Sequence, residues 1–111
     1  AGADNQIGVE VNWLNLKTSV KTAPEFVGCD PVHRATWLCL MLYCAEQENG
    51  GVILGCGSWG NRRWMQTCGV MKDEVLDPCD LWQIEGGDLR LWGYPVEREA
   101  QRAEPHGGIL L

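Results

Sequence analysis

The clearest pattern in the chain is an apolar run near its middle. Residues 35–45, ATWLCLMLYCA, contain one clearly polar side chain, Thr36. Asp30-Pro31 precedes the run as an N-cap and first helical residue, and Asn49-Gly50-Gly51 ends it. The pattern predicts a helix at 31–47 that is apolar, and therefore buried, on every face. We expect it to form the hub of the domain or part of a subunit interface.

Weaker patterns predict the elements on both sides of this helix. Alternating apolar and polar residues indicate strands, and Ser, Pro and Gly at segment ends indicate helix caps and stops. The predicted elements are a strand at 11–17, a short helix at 23–27, a strand at 52–54, a helix at 59–68 capped by Ser58 and ended by Gly69, and a helix at 72–77 stopped by Pro78.

The strongest local signal is LWQIEGGDLRLWGYP, which begins at Leu81. Two strands, 81–85 and 88–94, flank Gly86-Gly87, and a two-residue Gly-Gly turn fits a type I′ hairpin. A mostly polar helix is predicted at 95–104. The whole pattern predicts an α+β domain that is mainly helical, with a small β-hairpin and a short N-terminal strand.

Composition limits the chain to one globular domain. It has 111 residues, 45% hydrophobic and 22% charged, which is too apolar for a disordered segment. We assign 11–94 to the domain, 1–10 to a flexible N-terminus or a cloning scar, and 95–111 to the C-terminal helix and a loose tail.

The chain start shows no signal-peptide pattern, and the apolar run is shorter than the about 20 residues that span a bilayer. We therefore expect a cytoplasmic protein without membrane contact.

Six cysteines, at 29, 39, 44, 56, 68 and 79, leave several interpretations open. Their even number allows three disulfides, but several lie in apolar segments, where cysteine acts as a small hydrophobe. No CxxC pair exists, and Cys29 and His33 have no second ligand pair at zinc-finger spacing. Without a secretion signal, we predict reduced thiols, no metal and no cofactor.

The order helix, strand, helix, helix, hairpin is that of a winged helix-turn-helix. The segments WLNLKTS, DPVHRATWLCLMLYCAEQENGGVI, RRWMQTCGV and LWQIEGGDLRLWGYPVEREA also resemble the N-terminal winged-helix module of phage-type replisome-organiser and replication proteins. In that family a basic segment and further domains follow, where this sequence has AEPHGGILL. The resemblance implies nucleic-acid binding and an origin in a phage or mobile element, here as a fragment that has drifted from replication.

The charges depart from what a DNA reader needs. The net charge is −6, whereas nonspecific DNA affinity comes from neutralising phosphates. The reading helix implied by the resemblance is KDEVLD, and its Asp73, Glu74 and Asp77 repel phosphate. The hairpin tip, Glu85 to Asp88, is acidic as well.

The best remaining basic site is in SWGNRRW. Arg62 and Arg63, with Trp59 as a stacking face and Arg90 on the hairpin, are the predicted nucleic-acid-binding residues. The alternative is structural: Trp64 belongs to the core, Trp59 and Arg63 form a cation–π pair at i, i+4 spacing, and the arginines are solvated.

Other candidate chemistry has a simpler structural explanation. Asp73, Glu74, Asp77 and Asp80 provide oxygens for a divalent cation, but a solvated helix face explains them equally well. His33 has no nucleophile motif to serve as its partner, so a surface or capping role is expected. We therefore predict a protein that is not an enzyme.

These inferences combine into one functional hypothesis and one alternative. The leading hypothesis is a noncatalytic binding module of replication-type winged-helix ancestry that binds nucleic acid weakly or docks a protein partner. The alternative is an oligomeric protein-interaction module with no nucleic-acid role. One small domain has too few residues to bury six tryptophans and the apolar run by itself. Both hypotheses therefore predict a homodimer.

Overall fold

The structure, a computed structural model, describes residues 14–96. The assigned terminus at 1–10, and the predicted helix and tail beyond residue 96, lie outside the described residues. The described elements are a 3-10 helix (Thr18–Thr22), α1 (Pro24–Val27), α2 (Pro31–Gln47), β1 (Val52–Ile53), a second 3-10 helix (Cys56–Ser58), α3 (Asn61–Cys68), α4 (Lys72–Leu76), β2 (Trp82–Glu85) and β3 (Asp88–Leu91). A small α+β domain is confirmed.

The main helix, α2, has the bounds that the sequence predicts. Asp30 occupies the N-cap position with extended backbone, although its side chain makes no capping hydrogen bond. Pro31 begins the helix because its fixed φ suits the first turn and its missing N–H is not needed there. Glu48 ends the helix in the left-handed conformation, with φ of 51°, just before the two glycines.

The sequence predicts that α2 is buried on every face, and this prediction is wrong for the single chain. Trp37, Leu40 and Met41 are buried, whereas Leu38 and Leu42 are 44% and 53% exposed. The helix turns one side to the core, and the described elements leave its opposite side uncovered.

The hairpin forms as predicted, but its second strand is shorter. Gly86 and Gly87 have φ of 60° and 84°, the positive values that a type I′ turn requires at both central residues. Strand β3 ends at Leu91 instead of residue 94, because Gly93 has φ of 75° and turns the chain. All three strands are antiparallel in the order β1-β3-β2, with Arg90 of β3 opposite Val52.

The predicted N-terminal strand at 11–17 is wrong for the part that the structure describes. Residues 14–17 pair with no strand, and the chain continues into the 3-10 helix. Leu14 and Leu16 pack against the core as side chains only. The apolar alternation therefore reflects the packing of these two side chains. It does not produce a strand, because a strand also needs a hydrogen-bonded neighbour.

The helix predicted at 59–68 begins two residues later, and Ser58 does not cap it. Gly60 occupies the N-cap position of α3, and the Ser58 hydroxyl instead donates to the Gly55 carbonyl. Trp59 stays in extended conformation. The predicted C-terminal end is confirmed, because Gly69 terminates α3 with φ of 73°.

Two buried indoles fix the helices to the sheet. The indole N–H of Trp37 in α2 donates to the carbonyl of Trp92, directly after β3, at 3.0 Å. The indole N–H of Trp82 in β2 donates to the carbonyl of Val75 in α4 at 2.8 Å. Each bond satisfies a polar group that the core would otherwise leave without a partner, and each joins two different elements of the fold.

We expect Trp64→Ala to destabilise the domain severely, because Trp64 is 2% exposed within the core. Truncating a buried aromatic residue costs about 3–5 kcal/mol, a large share of a typical total of about 5–15 kcal/mol. Arg62→Ala, at a nearby exposed position, is the matched control and should leave the midpoint of thermal unfolding unchanged. A Trp64→Ala variant as stable as the control would contradict this packing.

Candidate functional site

The structure places Arg62 and Arg63 together in the first turn of α3, where both side chains are exposed. They differ in their surroundings. The guanidinium of Arg63 lies 4.4 Å from the centre of the Trp59 ring, whereas Arg62 makes no hydrogen bond or ion pair among the described residues. Arg62 is therefore the more available of the two for an anionic ligand.

Trp59 is part of the core rather than an open platform. It is 7% exposed, and its ring lies 4.7 Å from that of Trp64 and edge-on to Tyr43. Arg63 covers a face of the same ring. Stacking of a nucleic-acid base on Trp59, as the sequence suggested, would require this arginine to move and the indole to turn outward.

Arg90 lies on a different element, in the middle of β3. Its side chain is exposed between Val52 on one side and Gln83 on the other. The acidic hairpin tip is held in place, because an Asp88 carboxylate oxygen accepts a hydrogen bond of 2.8 Å from the Gly55 N–H. Arg90 therefore shares its hairpin with fixed negative charge.

The acidic helix α4 packs beside the first turns of α2. Its Glu74 carboxylate accepts hydrogen bonds from the Met71 N–H at 3.2 Å and from the Thr36 hydroxyl at 3.5 Å. Nε2 of His33 lies 2.8 Å from an Asp77 carboxylate oxygen. Two of the carboxylates suggested for cation binding are thus engaged in joining α4 to α2 and in ordering its first turn.

No metal centre is assembled among the side chains of residues 14–96. No group of three or more His, Cys, Asp or Glu side chains there is placed to hold a metal ion. In the same range, no hydrogen bond joins His33 to a serine, threonine or cysteine. The described geometry therefore offers His33 no nucleophile to activate.

The structure joins none of the six cysteines in a disulfide. Burial raises the pKa of the Cys68 thiol to about 12 and also raises the pKa of Cys56 and of Cys79. Since the thiolate is the reactive form, these three thiols are poor nucleophiles at neutral pH. Their positions identify them as packing residues.

The structure leaves two apolar surfaces exposed, of which the sequence indicated only the first, as part of a subunit interface. The first, which we name the α2 stripe, consists of Ala35, Leu38 and Leu42, all exposed on the outer side of α2. Their spacing of three and four residues places them in one row on the helix. No charged residue occurs between 35 and 45, so the middle of the stripe is electrically neutral.

The second surface, which we name the basic groove, lies where the 3-10 helix Thr18–Thr22 and α1 meet α2. It has a volume of about 390 Å³, and its cationic lining residues are Lys17, Lys21 and Arg34. Its apolar lining includes Leu16, Val20, Phe26, Trp37 and Leu38. The only sequence signal was the pair of lysines four residues apart, and nothing linked them to Arg34.

Comparison of the chain with protein-family models, with curated proteins and with solved structures gives no match. Within residues 14–96, no helix combines the length and hydrophobicity needed to cross a bilayer. The site must therefore be interpreted from its own geometry.

We expect the thiols to be reduced but unequally reactive. Unfolding without reductant should release six titratable thiols, and fewer would contradict the unpaired arrangement. In the native protein, alkylation of Cys68 at pH 8 should be slow, because its raised pKa keeps the thiolate fraction small. Mass spectrometry of alkylated peptides measures this, and Cys68 labelling as fast as in the unfolded chain would overturn it.

Proposed function

We propose that this protein is a noncatalytic binding module that docks protein, and that its first partner is a second copy of itself. The observation that carries the proposal is the α2 stripe: two leucines, each about half exposed, on the outer side of the helix that forms the core. Large apolar side chains in one row, with no charge among them, are typical of an interaction surface.

The winged-helix assignment is part of this proposal. It is supported by the element order α2, β1, α3, α4, β2, β3 and by a sheet in which β3 lies between β1 and β2. We further propose, from the sequence resemblance, that the module derives from a phage or mobile-element replication protein. The acidic α4 supports a use of this architecture other than reading DNA, because its carboxylates would repel phosphates at the position of a reading helix.

A second copy is favoured because of the charge pattern. In a symmetric dimer, the same patch from both subunits meets itself, so a rim of one charge sign repels its own copy. The basic groove is lined by cations, and exposed Leu76 has Asp73 and Asp77 beside it. The α2 stripe shares Ala35 and Leu38 with the basic groove, and its half around Leu42 is the neutral apolar part of these surfaces.

The expected dimer is weak. Full burial of a leucine side chain is worth about 1.5–3 kcal/mol, and Leu38 and Leu42 are already half buried. Association itself costs about 4–15 kcal/mol. These leucines by themselves offset only part of that cost, so we expect association only at the upper end of the micromolar range.

We expect Leu42→Glu to dissociate the dimer, because it places a charge within the neutral surface. Sedimentation velocity over a concentration series measures the change, and circular dichroism verifies the fold. Leu54→Glu is the matched control, since Leu54 is 74% exposed in the turn after β1 and lies outside the α2 stripe. A wild-type protein that stays monomeric at high micromolar concentration, or a Leu42→Glu variant that still dimerises, would sink the proposal.

Weak nucleic-acid binding is the second candidate function. One observation favours it: Arg62 and Arg63 are adjacent and exposed on α3, on an element other than the acidic α4. Because Trp59 is buried, the contact we propose is electrostatic and directed at phosphates rather than at bases.

If single-stranded DNA binds, Arg62→Ala combined with Arg63→Ala should weaken it. The slope of log affinity against log salt should fall by roughly one unit for each phosphate that the variant no longer neutralises. Fluorescence anisotropy across a salt series measures both quantities. The Arg63 change also removes a cation–π interaction worth about 0.5–1 kcal/mol, so the folded fraction must be verified. Lys17→Ala combined with Lys21→Ala removes the same charge, and an equal weakening in that control would indicate a nonspecific charge effect rather than a site at Arg62 and Arg63.

A further inference from the structure

We propose that the basic groove binds an acidic amphipathic segment of a partner protein, with the partner's apolar side chains on the groove floor and its carboxylates against the cationic rim. The proposal rests on the protein-docking function above, but it does not depend on dimerisation. It names the chemistry of a partner at a surface that overlaps the α2 stripe at Ala35 and Leu38 and extends beyond it to three cations.

The first argument is the concentration of positive charge. Residues 14–96 contain seven lysines and arginines, and three of them, Lys17, Lys21 and Arg34, line this one groove. No aspartate or glutamate of the described residues lines it. In a chain of net charge −6, such segregation produces a local positive field, which attracts and orients an acidic partner.

The second argument is the fixed geometry of Arg34. Its Nε donates to the Phe26 carbonyl at 3.1 Å and its Nη2 donates to the Val27 carbonyl at 2.9 Å. Its guanidinium also lies 5.2 Å from the centre of the Phe26 ring. These contacts use two of the five N–H groups of an arginine and hold the guanidinium plane in position. A carboxylate that accepts hydrogen bonds from the remaining N–H groups therefore binds a guanidinium that is already oriented.

The third argument is the apolar floor, which decides between classes of ligand. Leu16, Val20 and Phe26 are partly buried, and Leu38 is 44% exposed. A nucleic-acid backbone would use the cations and leave this floor in water. A peptide helix with apolar residues at i, i+3, i+4 and i+7 covers such a floor while its acidic residues reach the rim.

The test uses a fluorescein-labelled synthetic helix of about 15 residues, long enough for measurable helicity. Leucines occupy one face at the i, i+3, i+4, i+7 positions and glutamates occupy the flanks. A second peptide carries lysine at every glutamate position. Anisotropy titration of the full chain should give saturable binding of the acidic peptide and at least tenfold weaker binding of the basic one. Equal binding of both peptides would overturn the proposal.

The site is assigned with charge reversal. Lys17→Glu combined with Lys21→Glu should weaken binding of the acidic peptide at least tenfold, and both lysines are exposed, so the fold should be retained. Arg62→Glu combined with Arg90→Glu makes the same change in net charge elsewhere and should leave binding within twofold. An equal weakening in both double variants means a nonspecific charge effect and defeats the assignment.

Two further outcomes separate this proposal from its rivals. If single-stranded DNA displaces the peptide and binds more tightly, the groove is a nucleic-acid site and the proposal is wrong. If the protein forms open-ended assemblies that the Lys17→Glu, Lys21→Glu variant abolishes, the occupant is the acidic α4 surface of another copy, and the proposal is again wrong. Leu42 does not line the groove, whereas Ala35 and Leu38 belong to both surfaces, so the Leu42→Glu variant should bind the peptide at least as tightly as the wild type. A failed dimer and a failed groove therefore give different results.

Discussion

The fold depends on two buried indoles whose N–H groups have backbone partners. Trp37 and Trp82 each donate to a backbone carbonyl of a different element, and these two bonds position α2 and α4 against the strands. An indole in a core supplies much apolar area, but its N–H is costly when it has no acceptor. This requirement makes the relative placement of helices and sheet specific, where apolar contact alone would tolerate sliding.

The small number of elements explains the exposed surfaces. With four short to medium helices and a three-stranded sheet, the described chain covers one side of α2 and leaves the α2 stripe open. The segment before α1 crosses the surface without a strand partner and leaves the basic groove beside it. Both proposed interaction surfaces therefore lie on α2, the helix that also forms the core, so a partner would bind to a firmly held element.

The distribution of charge determines which kind of ligand each surface attracts. Aspartates and glutamates surround α4 and the hairpin tip, which are the parts that a winged helix would turn to DNA. The cations of the basic groove lie apart from those of α3, where Arg63 covers Trp59 instead of pointing freely to solvent. The pair Arg62-Arg63 illustrates how adjacent identical residues acquire different surroundings, since the guanidinium of Arg63 lies over the Trp59 ring and that of Arg62 does not.

Much of the fold could be predicted from the sequence alone, because it depends on interactions between neighbouring residues. The residues around Asp30-Pro31 and Asn49-Gly50-Gly51 predicted the limits of α2, and Gly86-Gly87 predicted the hairpin turn, because helix ends and positive φ depend on a few neighbouring residues. Trp64 was also assigned to the core correctly from helical spacing. These features need no knowledge of the rest of the chain.

Nonlocal contacts decided the remainder. The predicted strand at 11–17 is not formed at 14–17, because a strand needs a partner that the sequence pattern cannot supply. Trp59 is buried because Tyr43 and Trp64 meet it, and Tyr43 comes from a different helix. Lys17 and Lys21 line one groove with Arg34 only after α1 turns the chain back onto α2. Backbone conformation depends on neighbouring residues, whereas burial and the electrostatic surroundings of a side chain depend on segments that meet only in the folded domain.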